Sequence, residues 1–143
     1  MLSLVLLGGS AVGKSSVGNT ILRRRVFASR PSLRPVTTRI EEGTEEVCGR
    51  QVSVVDTPGI LNPGALDLIQ PLCAQYLLQP DSVVFLVVLK VDRMSSEQSQ
   101  ALQRTMELLG NGAMERSLLL FTYGASLQVN LTDAHPRVSL EKV

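Results

Sequence analysis

Apolar residues in this chain fall into short unbroken runs, separated by stretches of helical spacing. Leu2 to Leu7 is apolar except for Ser3, and Val83 to Leu89 is apolar throughout. Such runs are typical of strands buried on both faces of a parallel sheet. Ser117 to Thr122 is a shorter run of the same kind. Thr44–Cys48 and Gln51–Val55, around Gly49-Arg50, read as two strands and a tight turn. Helical spacing follows the first run, with Val17, Ile21 and Leu22 on one face of 16–23. Leu68, Leu72, Gln75 and Leu78 predict a second helix, and Leu102, Met106 and Leu109 a third. Ser95 and Gln98 have the spacing of a capping box before that third helix, and Gly110-Asn111-Gly112 is a stop signal after it. Residues 26–43, with Pro31 and Pro35, show no period and read as a long loop. The order predicts an α/β fold: a mostly parallel sheet, helices on both faces and one antiparallel edge strand. Beyond Tyr123 the pattern fades, so 1–124 reads as the domain and 125–143 as a divergent tail.

Chemistry enters directly after the first run. Gly8-Gly9-Ser10-Ala11-Val12-Gly13-Lys14-Ser15 satisfies G-x-x-x-x-G-K-[ST] and lies between a strand and a helix. This is the context a phosphate-binding loop, and hence a P-loop NTPase fold, requires. Gly8 and Gly13 allow tight turns that aim backbone N–H groups at phosphate oxygens. Lys14 brings a positive charge to the β- and γ-phosphates and Ser15 a hydroxyl for Mg²⁺. Ser16 continues into the helix, whose positive end faces the same anion.

A second motif closes the hairpin's second strand: Asp56-Thr57-Pro58-Gly59. An aspartate there can hold Mg²⁺, usually through water, and the Gly59 N–H can sense a γ-phosphate. The long loop offers Thr37 and Thr38 to complete the metal's coordination, with Thr37 favoured. The metal set is then Ser15, Thr37 and Asp56, and the catalytic pair Lys14 and Gly59.

Composition narrows the partners. The chain has 143 residues, enough for one domain, and is 44% hydrophobic and 19% charged. With 3% aromatic residues, no Trp and a net charge of +1, neither base stacking nor electrostatic binding to nucleic acid is expected. Cys48 and Cys73 have no metal-ligand spacing, and no apolar run is long enough to span a bilayer. Met1 leads straight into the first strand without a signal peptide. These features point to a cytoplasmic protein that touches membranes only indirectly. The cysteines are expected in the core and His135 at the surface.

Taken together, the motifs resemble the immunity-associated nucleotide-binding (GIMAP or IAN) family of septin-like GTPases. The matching segments are 6–22, including Gly18-Asn19-Thr20-Ile21-Leu22, then Pro35-Val36-Thr37-Thr38, Val54 to Gly59 and Leu119-Leu120-Phe121-Thr122. The segment between Phe85 and Leu109 is similar to the family's characteristic box. The resemblance implies a G domain of the AIG type that binds GTP or GDP with Mg²⁺. It also implies homo- or hetero-dimers with related GTPases, on intracellular membranes of immune cells.

Three features depart from that pattern or from better-known GTPases. Ala125 stands where this family commonly has an acidic residue for the guanine edge. The chain stops where another strand and helices, with a second base-contacting segment, would be expected, so a C-terminally truncated G domain is anticipated. Ile60 follows Gly59, where Ras-like enzymes place a glutamine that orients water. The leading expectation is therefore a GTP-binding switch with slow or dimer-dependent hydrolysis. The alternatives are a nucleotide-incompetent or base-unselective module that pairs with a complete paralogue and, third, a P-loop kinase for a small molecule.

Overall fold

In the computed structural model, residues 1–10, 12–27, 39–79, 82–91 and 95–122 are described, the side chain of Asn111 excepted. Thr37, Thr38, Ala11, Ala125 and His135 lie outside them. The elements in order are β1 (Leu2–Leu7), α1 (Lys14–Leu22), β2 (Glu41–Val47), β3 (Arg50–Asp56), α2 (Ala65–Leu77), β4 (Val83–Lys90), α3 (Ser96–Met114) and β5 (Ser117–Thr122). The sheet order is β2-β3-β1-β4-β5. β1 runs parallel to β3 and β4, and β4 parallel to β5; only β2–β3 is antiparallel. The expected sheet, with its antiparallel edge, is present.

Side chains on the two faces of β1 seed two cores. Val5 and Leu7 pack with Val55, Val83, Phe85 and Val87 against Ile69 and Cys73 of α2 and Ala101, Leu109 and Ala113 of α3. Leu6, on the opposite face, packs with Val54, Leu86 and Val88 against Val17 and Leu22 of α1 and against Phe27. Burial on both faces explains why β1 and β4 are continuously apolar.

Several local readings need correction. The hairpin turn is Cys48-Gly49, both at positive φ (53° and 78°), one residue earlier than expected. Cys48 is therefore exposed at a turn, while Cys73 is buried as anticipated. The buried stripe of α2 is Ala65, Ile69 and Cys73, whereas Leu68 and Leu78 are exposed. In α3 the buried positions are Gln98, Ala101, Thr105, Leu109 and Ala113; Met106 is exposed. Leu72 and Leu102 of the expected stripes are partly buried against the same core, so each expected face overlaps the edge of the buried one. Gly110 breaks α3 as a kink, with φ 61° and ψ −171°, after which one more turn follows.

Ser95 caps α3 by accepting from the Gln98 N–H at 3.0 Å. Gln98 uses its side chain on β4: its Oε1 accepts from the Lys90 N–H at 2.8 Å and its Nε2 donates to the Lys90 carbonyl at 3.1 Å. The start of α3 is thereby pinned to the end of β4. β5 ends the sheet order and exposes Leu118, Leu119 and Phe121.

Candidate functional site

Parallel pairing brings the carboxyl ends of β1, β3, β4 and β5 to one rim of the sheet, where open α/β sheets place their ligands. The register pairs Leu6 with Asp56 and Leu7 with Val87, so the chain after Leu7 emerges between the ends of β3 and β4. Gly8 to Ser10 turn there, and Val12 and Gly13 lead into the first turn of α1 at Lys14.

Backbone geometry requires glycine at the first turn of this loop. Gly8 has φ +146°, and a Cβ there would lie 2.7 Å from the Val88 carbonyl oxygen. The loop is held from both sides. Thr122 Oγ1, at the end of β5, lies 2.8 Å from the Val12 carbonyl and 3.3 Å from the Leu89 carbonyl, positioned to donate to either. On the other side the Ile60 N–H donates to the Gly8 carbonyl at 3.0 Å.

Lys14 is only 7% exposed. Its Nζ donates to the Gly9 carbonyl at 2.6 Å, with the Gly8 carbonyl at 3.4 Å. Burial pushes its pKa down from 10.5 to about 8, partly opposed by the Asp56 carboxylate, which favours the ammonium. A cation held by loop carbonyls next to backbone N–H groups is poised to receive an anion.

Ser15 and Asp56 form the other half of the site. Ser15 Oγ donates to Asp56 Oδ2 at 2.6 Å, and Asp56 is fully buried. One hydroxyl and one carboxylate, both hard oxygen donors, fit a Mg²⁺ ion that keeps most of its ligands as water and phosphate. Among the described residues no group of three or more His, Cys, Asp or Glu side chains could hold a metal.

The segment after Asp56 is folded onto the loop. Thr57 Oγ1 donates to the Leu6 carbonyl at 2.5 Å, and Ile60 is buried at 1% exposure. Gly59 sits so close to Ser10 that an added Cβ would collide with Ser10 Oγ and lie 2.8 Å from the Ser10 nitrogen. Ser10 Oγ donates to Asn62 Oδ1 at 3.0 Å. The structure thus gathers Gly8, Gly9, Ser10, Val12, Gly13, Lys14, Ser15, Asp56 and Gly59 at one rim, with Ser16 half-buried in the first turn of α1. Ala11, Thr37 and Thr38 are among the residues not described.

Motif reading missed three residues here. Asn62 lies between the Asp56-Thr57-Pro58-Gly59 motif and α2 and belongs to no motif. Thr122 ends an apolar strand and gave no signal except its place in Leu-Leu-Phe-Thr. Asn19 accepts from the N–H groups of Val26 and Phe27 and donates to the Phe27 carbonyl, each at 2.8 Å. It thereby fixes the exit of α1, and its signal was the Gly18-Asn19-Thr20 sequence.

A five-stranded α/β sheet with this loop at its rim defines the P-loop NTPase fold. The AIG1 family model matches residues 2–136, and the chain belongs to that family. Among relatives, GTPase IMAP family member 8 of Rattus norvegicus is 31% identical over 129 residues, covering 85% of this chain and 19% of that protein. Immune-associated nucleotide-binding protein 9 of Arabidopsis thaliana is 33% identical over 132 residues, covering 90% and 39% respectively. The chain therefore spans less than half the length of these relatives. Among solved structures, Toc33 from Arabidopsis thaliana in complex with Mg²⁺ and GMPPNP is similar at TM-score 0.64 and 26% identity, covering 85% of this chain and 50% of Toc33. The G domain of the T. maritima FeoB iron transporter shares the fold at TM-score 0.58 and 19% identity, covering 96% and 79%.

Proposed function

We propose that this chain is a guanine-nucleotide switch of the GIMAP type, binding GTP and GDP with Mg²⁺ at the rim formed by Gly8–Ser16, Asp56 and Gly59. The observation that carries the reading is the convergence of buried Lys14 and Asp56 with half-buried Ser15 at a glycine-turned loop. Membership of the AIG1 family and likeness to Toc33 with Mg²⁺ and GMPPNP support it. Lys14 exchanges its contacts with the loop carbonyls for phosphate oxygens, and the α1 N-terminus faces the same charge. Ser15 and Asp56 are the side chains that hold Mg²⁺, which neutralises phosphate charge when bound. Thr37 is proposed as the third side chain of that set, and residues 1–124 as the G domain.

Hydrolysis is proposed to be slow in the isolated chain. Ile60 occupies the position after Gly59, turned into the core, and its N–H is committed to Gly8. It has no polar group to orient an attacking water. A homo- or hetero-dimer with a related GTPase is the natural source of the missing group. Among the described residues no helix is long and apolar enough to cross a membrane.

The test is equilibrium binding of fluorescent GDP to the purified chain, with and without Mg²⁺, beside Lys14→Ala. Binding that needs both Mg²⁺ and Lys14 supports the reading. Binding indifferent to the Lys14→Ala change would place the nucleotide elsewhere.

A further inference from the structure

β5 stands at one end of the sheet, with no further strand beyond it among the described residues. Its backbone alternates between its neighbour and the open edge. The Arg116 carbonyl accepts from the Phe85 N–H at 2.8 Å and the Thr122 carbonyl from the Val91 N–H at 2.9 Å, so residues 116, 118, 120 and 122 turn toward β4. The N–H and carbonyl groups of Ser117, Leu119 and Phe121 turn the other way, toward the edge.

Apolar side chains stand out on both faces of this edge. Leu119, 54% exposed, sits beside Val87 on the α2–α3 face, and Phe121 follows it there. Leu118, 60% exposed, sits beside Leu86 on the α1 face. The strand, Ser-Leu-Leu-Leu-Phe-Thr, has no charge. The opposite edge of the sheet is built differently. β2 carries Glu41, Glu42, Glu45 and Glu46, and a copy of β2 laid alongside would crowd carboxylates together. Charge closes that edge to a second copy of the chain, and none closes β5.

An occupant of the β5 edge has to be apolar on both faces. Residues 126–132, Ser-Leu-Gln-Val-Asn-Leu-Thr, are polar at every other position and would offer apolar groups to one face only. A second β5 offers them to both. We propose that β5 pairs antiparallel with β5 of a second copy of this chain, about a two-fold axis at Leu119. Leu119 then lies opposite Leu119 of the other copy, Leu118 opposite Leu120, and Ser117 opposite Phe121. The backbone sets this register: the three outward residues are centred on Leu119, and each meets an outward residue of the copy, as an antiparallel ladder requires. The two sheets become one, and the two-fold uses up both open edges. The contact does not depend on the nucleotide reading.

The experiment measures the mass of the nucleotide-free full chain by size exclusion with light scattering over a dilution series. Wild type, Leu119→Lys and, as a second exposed leucine away from the edge, Leu68→Lys are compared, with circular dichroism confirming that each is folded. The expected result is a dimer for wild type and Leu68→Lys, and a dissociation constant raised at least about tenfold in Leu119→Lys, where two like charges meet on the axis. Cys48→Ser/Leu119→Cys, which removes the exposed native thiol, is expected to give a disulfide-linked dimer on oxidation, because directly opposed residues lie within disulfide reach. That variant decides the matter if Leu119→Lys does not fold. A wild-type chain that stays monomeric would overturn the proposal and show the edge covered from within the chain. A dimer that Leu119→Lys leaves intact, absence of the disulfide-linked dimer, or open-ended aggregates in place of a dimer would each overturn it as well.

Discussion

Ser15 Oγ lies 2.6 Å from Asp56 Oδ2, joining the end of the phosphate loop to the end of β3 across the rim of the sheet. Two residues 41 apart in sequence therefore present one pair of oxygen donors. Their meeting follows from the parallel pairing of β1 and β3, which sets Leu6 beside Asp56.

Asp56→Asn keeps the shape of this pair and removes its charge. Nucleotide affinity in Mg²⁺ is expected to fall tenfold or more, the scale of ~1.5–3 kcal/mol for an interaction with a charged group. Affinity without Mg²⁺ should change less. Titrating GDP with and without Mg²⁺ checks both.

Lys14 predicts a pH dependence of stability. Its pKa is about 8 in the folded protein and 10.5 as the ordinary value. Between those pH values the unfolded chain binds more protons, so stability rises with pH across that window. Below about pH 8 the buried ammonium costs about 3 kcal/mol in full. Lys14→Met is therefore expected to raise the melting temperature of the nucleotide-free chain at pH 7 and to lose that advantage toward pH 10. Melting curves from pH 7 to 10 measure it.

The same residue predicts how ligand affinity depends on pH. A phosphate beside Lys14 favours the ammonium, so binding above about pH 8 must take up a proton. Affinity is expected to fall as pH rises from 8 to 9, approaching tenfold per unit, and to be flatter between 7 and 7.5. GDP titrations of the wild-type chain from pH 7 to 9 measure it, and an affinity unchanged over that range would contradict the role given to Lys14.

Asn19 carries a stability prediction remote from the chemistry. Asn19→Ala removes three hydrogen bonds to Val26 and Phe27. At about 1 kcal/mol net for each, partly recovered by water, roughly 2 kcal/mol is expected. For a domain of this size that lowers the melting temperature by roughly 5–10 °C. Scanning calorimetry of the nucleotide-free protein reads it.

Much of this was legible in the sequence, for identifiable reasons. Continuous apolar runs marked β1 and β4, because strands covered on both faces have few polar alternates; β5 carries such a run although Leu118, Leu119 and Phe121 are exposed. Gly8 and Lys14 were legible because a polyphosphate leaves few alternatives for a tight turn and a nearby cation. The contact face of α3 was legible only in part: Leu109 is in the core and Leu102 packs against it, but Met106 is exposed and the buried Ala101, Thr105 and Ala113 are too small to stand out in an apolar pattern. Nor did the sequence reveal Asn62, whose role depends on a loop 52 residues away that only folding brings within reach. Thr122 gave no sign that its hydroxyl braces Val12, since a threonine ending an apolar strand has many bland explanations.

The most direct test of the central claim is competition of GTP against ATP for the Mg²⁺-loaded wild-type chain, with labelled GDP as the reporter. The account predicts displacement by GTP at least tenfold more effective than by ATP, and no labelled GDP bound to Lys14→Ala. Equal displacement by the two nucleotides would contradict a guanine switch and favour a base-unselective module.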